Sequence, residues 1–312
     1  MNKGKIEFID WNFRELKEYL IDDNVNEIAV NHDGKVWIAT FDKGWIDTGK
    51  KLDRETILSL IQVVADYREV IVDETYPILE TEFYDGSRFS GTIGSISPPS
   101  FNLRKHSKLV FTLDDYIRQG NITKEQKQII QEYILNKKNI LVVGATGSGK
   151  TTFANACIHE IAEVDDRVVI VEDTHEIQCT VRNNLRLIAN KKNPMVSILQ
   201  HCMRRTPERL IVGEVRGKEA LYLLTAWNSG HGGGVCTIHS ETALKGLRQL
   251  EQYIMLESVN PQREMIADNI HLIVVLEKVK GKRKVVEIKK MIGLENDKYA
   301  LKDLTEVGIC QN

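Results

Sequence analysis

The chain has 312 residues, 42 % of them hydrophobic, enough to give more than one domain a core of its own. Lysine and arginine number 42 against 44 acidic residues, a net charge of -2, so no overall field draws the protein to nucleic acid and any such contact has to use a local patch. No stretch approaches the roughly 20 apolar residues that span a bilayer, the N-terminal MNKGKIEFIDWNF lacks the apolar run of a signal peptide, and the scattered Cys157, Cys179, Cys202, Cys236 and Cys310 show no zinc or disulfide pattern, a usage that fits a reducing cytoplasm.

In chain order, residues 11–20 read as a short helix, followed by strands over 27–31 and 35–40 that turn through Asp33 and Gly34. Residues 52–67 carry apolar side chains at 57, 60, 61 and 64 behind Asp53, which is placed to cap a helix. Strands over 78–84 and 88–96, separated by Asp85 and Gly86, complete a small α+β unit of antiparallel hairpins. Pro98 and Pro99 then break the pattern before an extended piece at 101–105 and a short, acidic-headed helix at 111–120. The expected division is a first domain over 1–106, a linker over 107–121 and a second domain over 122–312. The second opens with a helix to Asn136 from Thr123, an N-cap with Gln126 three positions on.

The second domain alternates: strand 139–143, helix 151–162, strand 167–172, helix 195–204, strand 210–213, helix 217–228, strand 235–238 and helix 243–256, the last with Leu244, Leu247, Leu250 and Ile254 on one face. Such alternation predicts a mostly parallel sheet covered on both sides. Beyond Pro261, segments 270–277 and 284–288 read as a hairpin.

GATGSGKT at 144–151 matches GxxxxGK[ST] in full and sits between an apolar strand and an amphipathic helix. Gly144, Gly147 and Gly149 let backbone N–H groups converge on phosphate oxygens, and the following helix directs its positive N-terminal end at the same anion. Lys150 is expected across the β- and γ-phosphates and the Thr151 hydroxyl on Mg2+. Ala145, Thr146, Ser148 and Thr152 complete a cradle for ATP. The motif alone does not separate ATP from GTP, although no NKxD-type guanine-reading motif follows.

Hydrolysis also needs a group that orients water and one that helps hold magnesium. Strand RVVIVEDTHE ends in Glu172 and Asp173, and ERLIVGEVRG ends at Glu214; the carboxyl ends of parallel strands adjoin the site, so both glutamates are expected at its edge. Glu214 takes the position of a Walker B acid, near Mg2+ directly or through water. Asp173 reads equally as a turn cap. GHGGGVCTIHS places His231 in a glycine run and His239 at a strand end, each readable as a γ-phosphate contact or as a structural histidine. Arg205 closes a helix, where it also suits the helix dipole; Arg216 can pair with Glu214; Arg88 and Arg104 by themselves read as surface residues.

Together GATGSGKTT, VVIVEDTHEIQC and RRTPERLIVGEVRGKEALYLLTAWNSGHGGGVCTIHS resemble the VirB11 family of secretion and conjugation traffic ATPases, and within it the TrbB-type conjugative transfer ATPases, over residues 85–277. The resemblance implies an α/β fold, a RecA-like P-loop NTPase core with a smaller N-terminal α+β, PAS-like domain, nucleotide between the two, and a hexameric ring. It makes Glu172 of the Asp box EDTHE the water-orienting acid, LIVGE an atypical Walker B with Glu214, and GHGGGVCTIH a His box with His231 and His239. It also makes Arg88 of DGSRFSG, Arg104 of PPSFNLRK and Arg205 of RRTPERL nucleotide-facing arginines. His175 and the run Gly232 to Gly234 depart from the family pattern, and the four-cysteine module of type II secretion ATPases is missing.

The function so implied is Mg2+-dependent ATP hydrolysis powering conjugative DNA transfer or type IV secretion, with inner-membrane apparatus proteins as partners, in the cytoplasm against the inner face of the membrane. A type IV pilus or tight-adherence secretion ATPase has nearly the same core motifs. A nucleic-acid motor or packaging ATPase is a third reading: Lys278, Lys280, Lys282, Arg283, Lys284, Lys289 and Lys290 form a basic cluster on the expected hairpin, able to meet DNA or anionic lipid.

Overall fold

The computed structural model describes residues 3–40, 43–105, 110–190, 192–279 and 282–306; Lys280, Cys310 and the side chain of Lys282 lie outside that description. The chain separates into two compact units, Met1–Leu109 and Val110–Asn312.

In the first unit, helices Lys3–Asn12 and Lys17–Ile21 flank a tighter turn, where the sequence suggested one helix over 11–20. Strands β1 (Val25–Val30), β2 (Lys35–Thr40), β3 (Gly44–Lys51), β4 (Ile78–Glu82), β5 (Arg88–Thr92) and β6 (Ser100–Arg104) build one antiparallel sheet in the order β3-β2-β1-β6-β5-β4. Helix Arg54–Arg68 starts at Asp53, whose carboxylate accepts the Thr56 N–H at 2.8 Å, and buries Ile57, Leu60, Ile61 and Val64 in this unit's core. The unexpected β3 is an edge strand that alternates exposed with half-exposed residues, so GWIDTGKK carries little hydrophobic signal.

The second unit holds eight strands: β7 (Ile140–Gly144), β8 (Val168–Glu172), β9 (Asn184–Ile188), β10 (Arg209–Val215), β11 (Val235–His239), β12 (Leu272–Val279), β13 (Lys282–Glu295) and β14 (Lys298–Asp303), in the order β14-β13-β12-β7-β11-β10-β8-β9. From β12 to β9 all neighbours are parallel, and β13 and β14 extend the sheet antiparallel. Successive residues of β7 serve opposite faces. Leu141 and Val143 join a core with helices Met195–Cys202, Glu219–Ala226 and Ala243–Ile254, and Ile140 and Val142 join a second core with helices Lys124–Leu135 and Lys150–Ile161. Burial on both faces explains why these strands read as unbroken apolar runs. Helix Leu113–Arg118, inside the expected linker, belongs to this unit: Leu113 is buried and Tyr116 packs edge-on to Phe153 at 5.2 Å. Among the described residues no helix is long and apolar enough to cross a membrane.

The N-terminal edge of the sheet is tied together by one buried cation. Arg209, at the start of β10, is fully buried; its Nε donates to Asp166 Oδ2 at 2.7 Å and its terminal nitrogen to the carbonyls of Ile134 (2.7 Å) and Gly233 (3.1 Å). Burial works against the Asp166 carboxylate, but Lys137 and Arg209 together hold its pKa below the usual value. The glycine run that departs from the family pattern packs here: a β-carbon on Gly234 would come within 1.8 Å of the Leu210 carbonyl oxygen. Arg209→Met leaves Asp166 with Lys137 alone and takes the donor from two buried carbonyls, and is expected to cost about 3 kcal/mol of stability. Thr123→Ala, which removes a capping box, costs about 1 kcal/mol. Urea unfolding followed by circular dichroism measures both.

Candidate functional site

The loop between β7 and helix Lys150–Ile161 carries the glycines at the turns that need them. Gly147 lies at φ +75° and Gly149 at φ +92°, a region closed to most side chains. A β-carbon on Gly144 would collide with Ser148 Oγ at 2.4 Å and the Leu276 carbonyl at 2.6 Å. Ser148 is buried and, among the described residues, its Oγ has no hydrogen-bond partner and no side chain caps the helix at Gly149. Orphaned donors at a helix N-terminus suit an anion such as a phosphate chain. Ala145, Thr146 and Gly147 are exposed along the loop, and Thr151 and Thr152 are half-buried in the first helical turn.

A line of paired charges runs from this loop across the carboxyl ends of the strands in sheet order. Lys150, on the helix that follows β7, is buried, with Nζ 3.0 Å from His239 Nδ1 and 3.3 Å from the Ala145 carbonyl. His239 ends β11, and its Nε2 is 2.7 Å from Glu214 Oε1 of β10. Glu214 Oε2 accepts from Arg216 at 2.7 Å, and Arg216 also reaches Asp173 Oδ2, just beyond β8, at 2.7 Å. These partners fix the imidazole as neutral, with Nε2–H donating to Glu214 and Nδ1 accepting from the ammonium. Partial burial, then the Lys150 charge, push the His239 pKa below its usual value, against the pull of Glu214.

Glu172 ends β8 at the expected edge, but its side chain is buried. As the last residue of a strand buried on both faces, it is 2 % exposed and turns under the loop that follows. Its Oε2 accepts the N–H groups of Glu176 and Ile177, each at 2.8 Å, and Oε1 sits 3.2 Å from Arg186 Nε. Burial pushes this carboxyl up, opposed by those two N–H groups and Arg186. The acid of the same box that faces helix Lys150–Ile161 is Glu176, whose Oε2 is 3.3 Å from Thr151 Oγ1. The motif EDTHE carries both glutamates, so the signal was present, but strand burial is what separates their roles.

Two expected nucleotide residues are not brought to the loop of their own chain. His231 Nδ1 lies 2.9 Å from the Pro207 carbonyl, and Arg205 is exposed, bonding His201 Nε2 at 3.0 Å, with its carbonyl held by Arg167. Both precede strands β10 and β11, at the sheet edge opposite the loop, because the chain enters those strands there and delivers only Glu214 and His239 at the far end. In the first unit Arg88 and Arg104 are direct cross-strand partners, flanked in register by Glu82 and Glu27.

Over residues 14–296 the sequence matches the protein family described as Type II/IV secretion system protein. It is 40 % identical over 293 residues to a probable conjugal transfer protein TrbB of Sinorhizobium fredii, covering 92 % of this chain and 90 % of that protein. It is 27 % identical over 327 residues to the type IV secretion system protein VirB11 of Bartonella henselae, covering 88 % and 90 %. Among solved structures, the ATPase DotB of Legionella pneumophila superposes with a TM-score of 0.65 at 17 % identity, covering 93 % of this chain and 82 % of its own. The pilus retraction motor PilT, solved with bound ADP, superposes with a TM-score of 0.64 at 17 % identity, covering 90 % and 83 %. These two likenesses bear on the fold, a RecA-like core with a smaller N-terminal α+β domain.

The paired imidazole gives a direct check. In a histidine NMR titration His239 is expected to titrate below the ordinary value of about 6.5, and Lys150→Ala, by removing the neighbouring ammonium, moves its midpoint upward. A midpoint insensitive to Lys150 contradicts the pairing.

Proposed function

The chain belongs to the type II/IV secretion system protein family, and from that membership we propose that it is a Mg2+-dependent P-loop ATPase that powers conjugative DNA transfer or type IV secretion as a ring of identical copies. The carrying observation is the convergence of Lys150, His239, Glu214 and Glu176 on the loop at one sheet edge. The 40 % identity to a conjugal transfer protein along nearly the whole chain supports the conjugative branch.

The residues present fit Mg-ATP: the loop offers Ser148 Oγ and uncapped helix N–H groups to phosphate oxygens, and the Thr151 hydroxyl and Glu214 carboxylate are hard oxygen ligands. A magnesium ion held by the Thr151 hydroxyl and the Glu214 carboxylate would supply neutralisation of phosphate charge. Lys150 exchanges its imidazole and carbonyl partners for phosphate oxygens and stabilises the charge that grows there during transfer. His239, bridging Lys150 and Glu214, registers that exchange. We assign Glu176 to orienting and deprotonating the attacking water, because its carboxylate faces Thr151. Glu172 is assigned to holding the Glu176 backbone in place through its two N–H bonds.

The resemblance also supports phosphate-facing roles for Arg88 and Arg104. Since Arg205 faces away from its own loop, we assign its contact to the site of a neighbouring copy in a hexameric ring, with apparatus proteins at the inner membrane as further partners. Residual turnover unchanged in Arg88→Ala, Arg104→Ala and Arg205→Ala would remove these assignments.

Lys150→Ala is expected to abolish turnover and most nucleotide affinity. Glu176→Gln keeps ATP binding and lowers single-turnover phosphate release by about 100-fold or more, the range for loss of a general base. Glu172→Gln lowers the melting temperature and affects turnover less. The reverse ranking of the two glutamates returns the water-orienting role to Glu172.

A further inference from the structure

The β12–β13 hairpin, whose basic cluster suggested DNA or lipid from sequence alone, overhangs the phosphate-binding loop. Leu276 of β12 is the register partner of Gly144, so residues 277–279 continue past the sheet edge, and Lys278 pairs there with Arg283 of β13. From that position the Arg283 side chain turns onto the loop. A β-carbon on Gly149 would come within 2.7 Å of Arg283 Cδ and 3.4 Å of its Nε. The guanidinium is also within electrostatic reach of the buried Tyr116, which packs on Phe153 of the helix that begins at Lys150. The strand itself is tied down by Val285 N–H to the Asn121 carbonyl at 3.4 Å.

Sheet order decides which flank of the loop this is. His239 comes from β11 on one side of β7; β12 and β13 lie on the other. We propose that Arg283 is a nucleotide-binding residue that holds the α- and β-phosphates from the flank of the loop opposite His239. The inference rests on the reading of the loop as a triphosphate site and adds a second cation to it. Three points carry it. Gly149 has no side chain, so the guanidinium can approach the loop backbone closely. The backbone of a phosphate-binding loop cradles the α- and β-phosphates while its lysine reaches toward the γ-phosphate, so a cation lying across Gly149 meets the inner phosphates. Arginine keeps its charge and can bond two phosphate oxygens at once. Lys278 and Lys284, by contrast, are exposed beside it on the hairpin.

Because both inner phosphates are present in ADP and ATP, the two nucleotides must respond alike. The test is equilibrium binding of ATP and ADP to the full chain, alongside ATPase kinetics, for wild type, Lys150→Ala, Arg283→Ala, Arg283→Lys and Lys284→Ala. Arg283→Ala is expected to weaken both nucleotides by about tenfold, the loss of one charge-assisted contact, and to raise KM for ATP much more than it lowers kcat. Arg283→Lys falls between it and wild type, and Lys284→Ala binds as wild type does. Unchanged nucleotide affinity in Arg283→Ala and Arg283→Lys overturns the proposal, as does a loss confined to duplex DNA or to phosphatidylserine vesicles. A wild-type chain that binds neither nucleotide overturns instead the reading of the loop on which the proposal rests.

Discussion

Parallel strand packing decides where charge can gather in this molecule. Strands β7, β11, β10 and β8 are neighbours, spaced about 4.8 Å apart, and all run the same way, so their carboxyl ends form one polar edge. Together these ends carry the line from Lys150 through His239, Glu214 and Arg216 to Asp173, and every contact along it is 2.7 to 3.0 Å. No single charge could be so deeply seated alone. Lys150 can be buried because its ammonium is bonded, an imidazole and a carbonyl among its partners, and the imidazole can accept because Glu214 holds its other nitrogen.

The two edges of the sheet divide the work. At the amino edge, buried Arg209 clamps Asp166, Ile134 and Gly233 in a packed arrangement with no room for a β-carbon at Gly234. At the carboxyl edge the partners are side chains that a phosphate group can compete for. In the function proposed above, a phosphate group that takes Lys150 removes the donor of His239, which is also bonded to Glu214. The packed amino edge gives the polar edge a supported base, as precise placement of side chains at a site requires.

Much of this was legible in the residues. The loop and the run of alternating strands and helices depend on local patterns, glycines at fixed offsets and unbroken apolar runs, and the capping box at Thr123 and the N-cap at Asp53 sit where spacing alone put them. The strands β3, β9 and β14 were illegible because they lie at or near sheet edges, are mostly half-exposed or exposed, and owe their place to pairing. In the site, the choice between Glu172 and Glu176 was beyond reach because it turns on which acid is buried under the loop, and the partner Arg186 comes from the unread β9. His231 and His239 share one motif, and the glycine run and strand end in which the sequence places them become opposite edges of the sheet, because one precedes β11 and the other ends it. Arg283 was visible only as one cation among several until register placed its hairpin beside Gly149.

The central claim is that the phosphate chain of ATP takes Lys150 from His239 at this edge. A crystal structure of the chain with Mg2+ and a non-hydrolysable ATP analogue tests it most directly. Phosphates are expected along residues 144–151, with Lys150 Nζ bonded to their oxygens instead of to His239 Nδ1 and the metal beside Thr151 with Glu176 facing it. Phosphates bound elsewhere, or Lys150 still paired with His239 over a bound nucleotide, would contradict it.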